Sequence, residues 1–167
     1  YSESGNLIWT HQVGESGGDT YSEAIHSDLN GNTYITGSTN VGISGQMQNG
    51  DYDYFIAKYD ANGSLNWTRQ VGSGNGNTYG AGISTDSNGN AYITGYTDVG
   101  ISGESLTGQS DYFIAKYNAS GSLNWTRQVG GAIGGNTFSS AITTDSTGKN
   151  YITGSTNAAI SGQTQNG

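Results

Sequence analysis

The chain has 167 residues, of which 29 are glycine and none is proline or cysteine, and its formal net charge is −8. Its five basic residues, Lys58, Arg69, Lys116, Arg127 and Lys149, stand singly. No basic patch can therefore track a phosphate backbone, and nucleic acid is not an expected partner.

Apolar residues make up only 32% of the chain, yet aromatics reach 11% against 11% charged residues. That balance is the reverse of a disordered composition and predicts folded β-structure with many tight turns. No run approaches the roughly 20 apolar residues needed to cross a bilayer, so membrane insertion is not expected. No charged region followed by an apolar one opens the chain, and Tyr1 reads as an interior point of a longer sequence. The absence of cysteine decides no compartment by itself.

The first apolar cluster, residues 7–14, is a loose copy of residues 65–72 and 123–130, which share Leu-Asn-Trp-Thr-Arg-Gln-Val-Gly letter for letter. Trp9, Trp67 and Trp125 lie 58 residues apart each time. A fixed period of this size marks a repeat architecture. Next comes a segment ending at Asp28, with counterparts ending at Asp86 (Gly82-Ile83-Ser84-Thr85-Asp86) and Asp145. A Tyr-Ile-Thr-Gly segment follows, closing on Gly37, Gly95 and Gly154. After it a polar connection carries Ile-Ser-Gly at 43–45, 101–103 and 160–162. One isoleucine planted in each polar loop predicts a packing plug. Asp-Tyr-Phe-Ile-Ala-Lys-Tyr then occurs at 53–59 and 111–117 and leads into the tryptophan segment.

Asn-Gly and related turns separate these segments in pairs, which predicts hairpins. Alternation puts Leu65, Trp67, Arg69 and Val71 on one face of their strand and Asn66, Thr68 and Gln70 on the other. Arg69 is expected at the rim with its stem along the sheet. No segment has a helical period. The expected fold is all-β, with four antiparallel strands per 58-residue unit, the build of a β-propeller blade.

The run from Asp53 through Thr68, followed by residues 82–97, resembles the SBBP family of bacterial β-propeller repeats, and the likeness extends over essentially the whole chain three times. The chain departs from that pattern in lacking proline after the Ile-Thr-Gly strand and in a longer Gln/Asn-rich loop there. The resemblance implies a part of a large secreted or surface-displayed bacterial protein, with no single activity.

By analogy with other propellers, the segments before Asp28, Asp86 and Asp145 are innermost, Tyr-Ile-Thr-Gly is second, Asp-Tyr-Phe-Ile-Ala-Lys third and the tryptophan strand outermost. The chain then reads as one domain over residues 1–167, in passes 1–52, 53–110 and 111–167. It holds about three blades: one outer strand, two whole blades and the first two strands of another. That makes eleven strands, with one Asp-Tyr-Phe-Ile-Ala-Lys strand lacking. Three blades are too few for an ordinary ring, and an incomplete blade exposes strand edges. The chain is expected to be a fragment of a longer repeat protein or a protomer that completes itself with another copy.

Asp28-Leu29-Asn30-Gly31-Asn32 and Asp86-Ser87-Asn88-Gly89-Asn90 resemble the opening of a calcium loop. The third copy, however, places Lys149 where a ligand would fall, and Asx-capped hairpin turns account for all three. No cofactor is expected; calcium is the one ion such loops could take, where carboxylates of different loops converge. The tryptophans are expected to pack between blades. Tyr52, Tyr79 and Tyr96, read as exposed and not fully repeated, are the candidate glycan contacts. His11 and His26 occur only in the first pass, His11 where the other passes have Arg69 and Arg127, which predicts a surface role. No carboxylate pair or activated nucleophile stands out, so the chain is not read as an enzyme. Asn62, Asn66, Asn118 and Asn124 head glycosylation sequons, with Asn62 and Asn118 expected in exposed turns.

The reading is a structural or adhesive module, extracellular or on a bacterial cell surface, that works by self-assembly or protein contact, with other copies or flanking repeats as partners. The rival is a carbohydrate-binding propeller with shallow sites between blades.

Overall fold

The computed structural model describes residues 1–164. Among the described residues ten strands follow one another: β1 (Thr20–Ser27), β2 (Thr33–Thr39), β3 (Asp53–Tyr59), β4 (Leu65–Val71), β5 (Thr78–Thr85), β6 (Ala91–Thr97), β7 (Asp111–Tyr117), β8 (Leu123–Val129), β9 (Thr137–Thr144) and β10 (Asn150–Thr156). They form two four-stranded antiparallel meanders, β1-β2-β3-β4 and β5-β6-β7-β8, and a two-stranded sheet, β9-β10. β5 packs on β1, β2 and β3 of the preceding sheet, and β9 repeats this against β5, β6 and β7. The units are thus blades, stacked face to face with their first strands adjacent. The sheets do not close into a ring.

The expectation of eleven strands is corrected to ten. Residues 7–14 form no strand; among the described residues no third strand lies beside them to supply the ladder that β3 gives β4. They nonetheless take an outer strand's place. The Trp9 ring stacks on Tyr59 at 6.0 Å and 26°, as Trp67 stacks on Tyr117 at 6.3 Å and 28°. A Cβ on Gly63 would lie 2.7 Å from the Trp9 ring, and one on Gly121 2.6 Å from the Trp67 ring. Each tryptophan therefore roofs the third strand and hairpin turn of the next blade.

Glycine explains how the inner hairpins bend. Each first strand carries a bulge opposite the second, between Ser22 and Ala24 and between Gly80 and Gly82. Cβ atoms on Gly37, Gly95 and Gly154 would sit 1.8–1.9 Å from the carbonyl oxygens of Tyr21, Tyr79 and Phe138. Only a residue without a side chain permits that approach.

The core lies in the seam between the two complete blades. It comprises Tyr34, Tyr54 and Ile56 from the first and Ile83, Ile93, Phe113 and Tyr117 from the second, with Trp67 and Val71 half-buried against it. Phe113 stacks on Tyr54 at 4.9 Å, and the Tyr54 and Tyr117 hydroxyls meet at 2.7 Å. Burial pushes both phenols upward, Tyr117 to about 12.

On the outer strand the polar row is the more buried. Thr68 and Gln70 are buried while Trp67, Arg69 and Val71 are half-buried. The reason is the loop between β2 and β3, which folds back over this face and buries Ile43, as the next loop buries Ile101. The plug expectation for these two isoleucines is met. Gln70 Oε1 accepts from the Ile43 amide, and its Nε2 donates to the Val41 carbonyl and to Asp53 Oδ2.

Candidate functional site

Three places deserve comparison: the innermost hairpin turns, an aromatic row at the opposite end of the sheets, and the unpaired seams at the two ends of the stack. The turns carry the calcium-like motif. Asp28 Oδ1 accepts from the amides of Asn30 and Asn32, both at 2.9 Å, and Oδ2 from Asn32 Nδ2 and the Tyr34 hydroxyl. Asp86 repeats all four contacts, and Asp145 is held by the amides of Thr147 and Lys149 and by the Tyr151 hydroxyl. Partial burial raises the Asp28 and Asp86 carboxyls, but the hydrogen bonds, led by the Asn32 and Asn90 side chains, outweigh it and hold both below the usual value. These are Asx turns. The three turns meet around a shallow groove of about 240 Å³ with His26 at its rim. Among the described residues, however, no three His, Asp or Glu side chains converge in a way that could hold a metal ion.

A second carboxylate pair went unread in the sequence. Asp53 is fully buried at the start of β3 and accepts from the amides of Asn49 (2.8 Å) and Gly50 (2.7 Å) and from Gln70 Nε2 (2.8 Å). Asp111 does the same with Thr107, Gly108 and Gln128. These charges close the long loop onto the blade. Their sequence signal is the recurrence of Asp, then Gln 17 residues on, then a glycine whose Cβ would lie 1.7–1.8 Å from the carboxylate.

The aromatic row gathers all three glycan candidates. Tyr52 stacks on Tyr79 at 5.5 Å, Tyr79 meets Tyr96 at 5.1 Å, and Tyr96 meets Phe138 edge-on at 4.9 Å. The row runs from the first blade's loop across the second blade to the third sheet. Tyr52, Tyr79 and Tyr96 are half-buried, which corrects the expectation of exposed rings: each covers its neighbour. Burial, then neighbouring Tyr96, Tyr52, Asp98 and Asp51, raises the Tyr79 phenol. Burial, followed by Glu23, raises that of Tyr96.

The tryptophans divide by position. Trp67 sits between Tyr34 and Tyr117 and donates through Nε1 to the Ala119 carbonyl, while Trp125 has Tyr92 for its aromatic neighbour. Arg69 lies along the sheet with its guanidinium over Trp67, as expected of a rim residue. His11 is exposed and stacks on Tyr59 at 5.2 Å. Of the sequon asparagines, Asn62, Asn66 and Asn124 are exposed. Asn118 is corrected: it is half-buried, with Oδ1 accepting from the amides of Ser120 and Ser122.

The open seams stand out by contrast with the closed one. Ile83 on β5 is 6% exposed against the first blade, whereas Ile25, its counterpart on β1, is 69% exposed. Tyr34 and Tyr92 are 0% and 2% exposed, whereas Tyr151 on β10 is 56% exposed. The repeat that generates these equivalences is found by comparison as well. Residues 8–43, 66–102 and 124–160 each match the SBBP beta-propeller repeat. The chain belongs to this family. A comparison with curated proteins found no match. In this SBBP chain each matched segment begins at the tryptophan segment and ends at the Ile-Ser-Gly loop, so it runs from an outer position into the next sheet.

Proposed function

We propose that this SBBP chain is a structural module that works by end-to-end association of blade stacks, in an extracellular or cell-surface setting and without a catalytic role. The observation that carries the reading is the pair of open seams. The face around Ile25 is the counterpart of the one that the Ile83 face presents to the first blade, and the face around Tyr151 is the counterpart of the Tyr34 face on which the second blade sits. The Tyr151 end thus carries the first two strands of the face that the Ile25 end would cover. The contact is heterologous, so copies extend into a filament or close into a ring according to the rotation per step. Residues 7–14 favour the same arrangement, since they already occupy an outer-strand position on the first blade.

Light scattering across a concentration series, with negative-stain imaging, tests the reading. The expected result is mass in multiples of the protomer, growing with concentration and lost in Ile25→Lys, a change at an exposed position. A protomer mass at every concentration would overturn it.

The aromatic row favours a second reading, a glycan platform across the blade seams, because Tyr52, Tyr79 and Tyr96 lie side by side with Glu23, Asp51 and Asp98 near them as hydrogen-bond acceptors. A glycan array that lights up for the native chain and not for Tyr79→Ala supports it; a blank array counts against it.

A further inference from the structure

We infer that Tyr52 and Tyr79 form a site of oxidative phenol coupling, at which a peroxide acting through a haem peroxidase joins the first blade to the second by a dityrosine bond. This goes beyond the association and glycan readings and rests on neither. The chain has no cysteine, so no disulfide can tie its blades together. The two phenols lie where such a tie would be placed. Tyr52 stands in the loop just ahead of β3 in the first blade, and Tyr79 is the second residue of β5 in the second. Their rings stack at 5.5 Å with 28° between the planes.

The backbone fixes this pairing. The Asp51 amide donates to the Gly76 carbonyl and the Thr78 amide to the Tyr52 carbonyl, both at 2.8 Å, so that Tyr52 and Asn77 form a parallel bridge between the blades. At the next seam Gln109 and Thr137 donate in the same way, and Ser110 bridges Asn136. There, however, Ser110 and Phe138 occupy the places of Tyr52 and Tyr79. The bridge belongs to the repeat; the two phenols are particular to the first seam. Tyr96, opposite Tyr79 on β6 with the rings 5.1 Å apart, is the competing partner. Its ring is wedged edge-on against Phe138 at 4.9 Å, whereas the Tyr52 hydroxyl is held by one long hydrogen bond, from Asn40 Nδ2 at 3.4 Å. Tyr52 is therefore the freer of the two to turn an ortho carbon toward Tyr79.

Each phenol gives up one electron and its hydroxyl proton, leaving two phenoxyl radicals with much of their unpaired spin on the ortho ring carbons. One ortho carbon of each ring joins the other in a new C–C bond, and the hydrogen displaced from each of those carbons returns to its phenolic oxygen. The peroxide accepts both electrons and both protons, its O–O bond breaks, and two waters leave. Both rings are half-buried, so part of each meets solvent. The Tyr79 hydroxyl donates to Asn77 Oδ1 at 3.3 Å, and Asp98, which accepts from the Asn77 amide and from Asn77 Nδ2, is a carboxylate at hand for the released proton.

The test treats the full chain at low concentration with hydrogen peroxide and a haem peroxidase, separates the products under denaturing conditions and digests the protomer-sized band with trypsin. The five basic residues place Tyr52 in the peptide 1–58 and Tyr79, with Tyr96, in 70–116. The expected product joins these two peptides, is two hydrogen atoms lighter than their sum and shows the blue fluorescence of dityrosine. It should be lost in Tyr52→Phe and in Tyr79→Phe, which keep both rings, and kept in Tyr21→Phe, which removes an exposed phenol from the same first peptide. A protomer-sized band without the joined peptides, a bond confined to 70–116, or a joined product that persists in either the Tyr52 or the Tyr79 variant would overturn the inference.

Discussion

The Tyr54–Tyr117 hydroxyl pair offers the sharpest test of how the two complete blades are joined. The oxygens are 2.7 Å apart, and both rings lie in the seam at no more than 1% exposure. Replacing either tyrosine by phenylalanine keeps the ring, including the Tyr54–Phe113 stack, and removes one oxygen. The remaining hydroxyl then stays buried without its partner. A lost hydrogen bond contributes about 1 kcal/mol and a stranded buried hydroxyl a further 1–2 kcal/mol, so each single variant should be destabilised by roughly 2–3 kcal/mol. For a chain of this length that is a fall in Tm of about 4–12 °C. Removing both oxygens leaves no stranded group, and Tyr54→Phe/Tyr117→Phe should return to within about 1 kcal/mol of the native chain. Urea unfolding followed by tryptophan fluorescence gives the four corners of the cycle. Costs of the two single changes that simply add in the double variant would refute the claim that the pair acts as a unit across the seam.

Other expectations follow from the same geometry. Folding raises the Tyr117 phenol to about 12 by burial, against about 10 in an unfolded chain, so the native state holds a proton that the unfolded state releases. Its contribution to stability should therefore be complete below pH 10 and be lost at about 1.4 kcal/mol per pH unit between 10 and 12, adding to that of the other raised phenols such as Tyr54, and the double phenylalanine variant should lessen the total slope in urea titrations. Thr68 Oγ1 and Thr126 Oγ1 are buried without a hydrogen-bond partner; changing both to valine should raise stability by about 1 kcal/mol each, read as a higher urea midpoint. Gly95→Ala would set a Cβ 1.9 Å from the Tyr79 carbonyl oxygen and should cost about 3 kcal/mol or prevent soluble expression. Asp86→Ala removes the acceptor for two turn amides and should cost about 1 kcal/mol in the same unfolding assay.

The strand positions were legible because the repeat is written three times and each copy is bounded by glycine and asparagine turns whose φ requirements leave few alternatives. Gly31, Gly63, Gly89, Gly121 and Gly148 all have φ between +73° and +84°, as hairpin turns of this kind demand. The order of strands within a blade was legible only by analogy, since a 58-residue unit fixes hairpins but not which strand lies inside. What escaped the sequence was burial. Thr68 and Gln70 read as a polar face, yet they are more buried than the tryptophan row, because the loop around Ile43, 27 residues before Gln70, folds over them; no periodicity within the strand records that loop. The same closure hides Asp53, whose carboxylate accepts from two nearby amides, those of Asn49 and Gly50, and from Gln70, 17 residues further on.

The candidate sites show the same division. Tyr52, Tyr79 and Tyr96 could be picked out because they break the repeat, but their stacking is a consequence of blade order, since Tyr52 belongs to one blade and Tyr79 to the next. A residue that breaks a repeat is free to do something unrepeated, whereas a residue that keeps it is constrained by seams. That distinction also places Trp9. It keeps the repeat while its strand does not form, so the attraction between a tryptophan and the next blade's Tyr59 and Gly63 operates without the sheet's hydrogen bonds. Packing across the seam therefore holds this segment in an outer position without strand pairing.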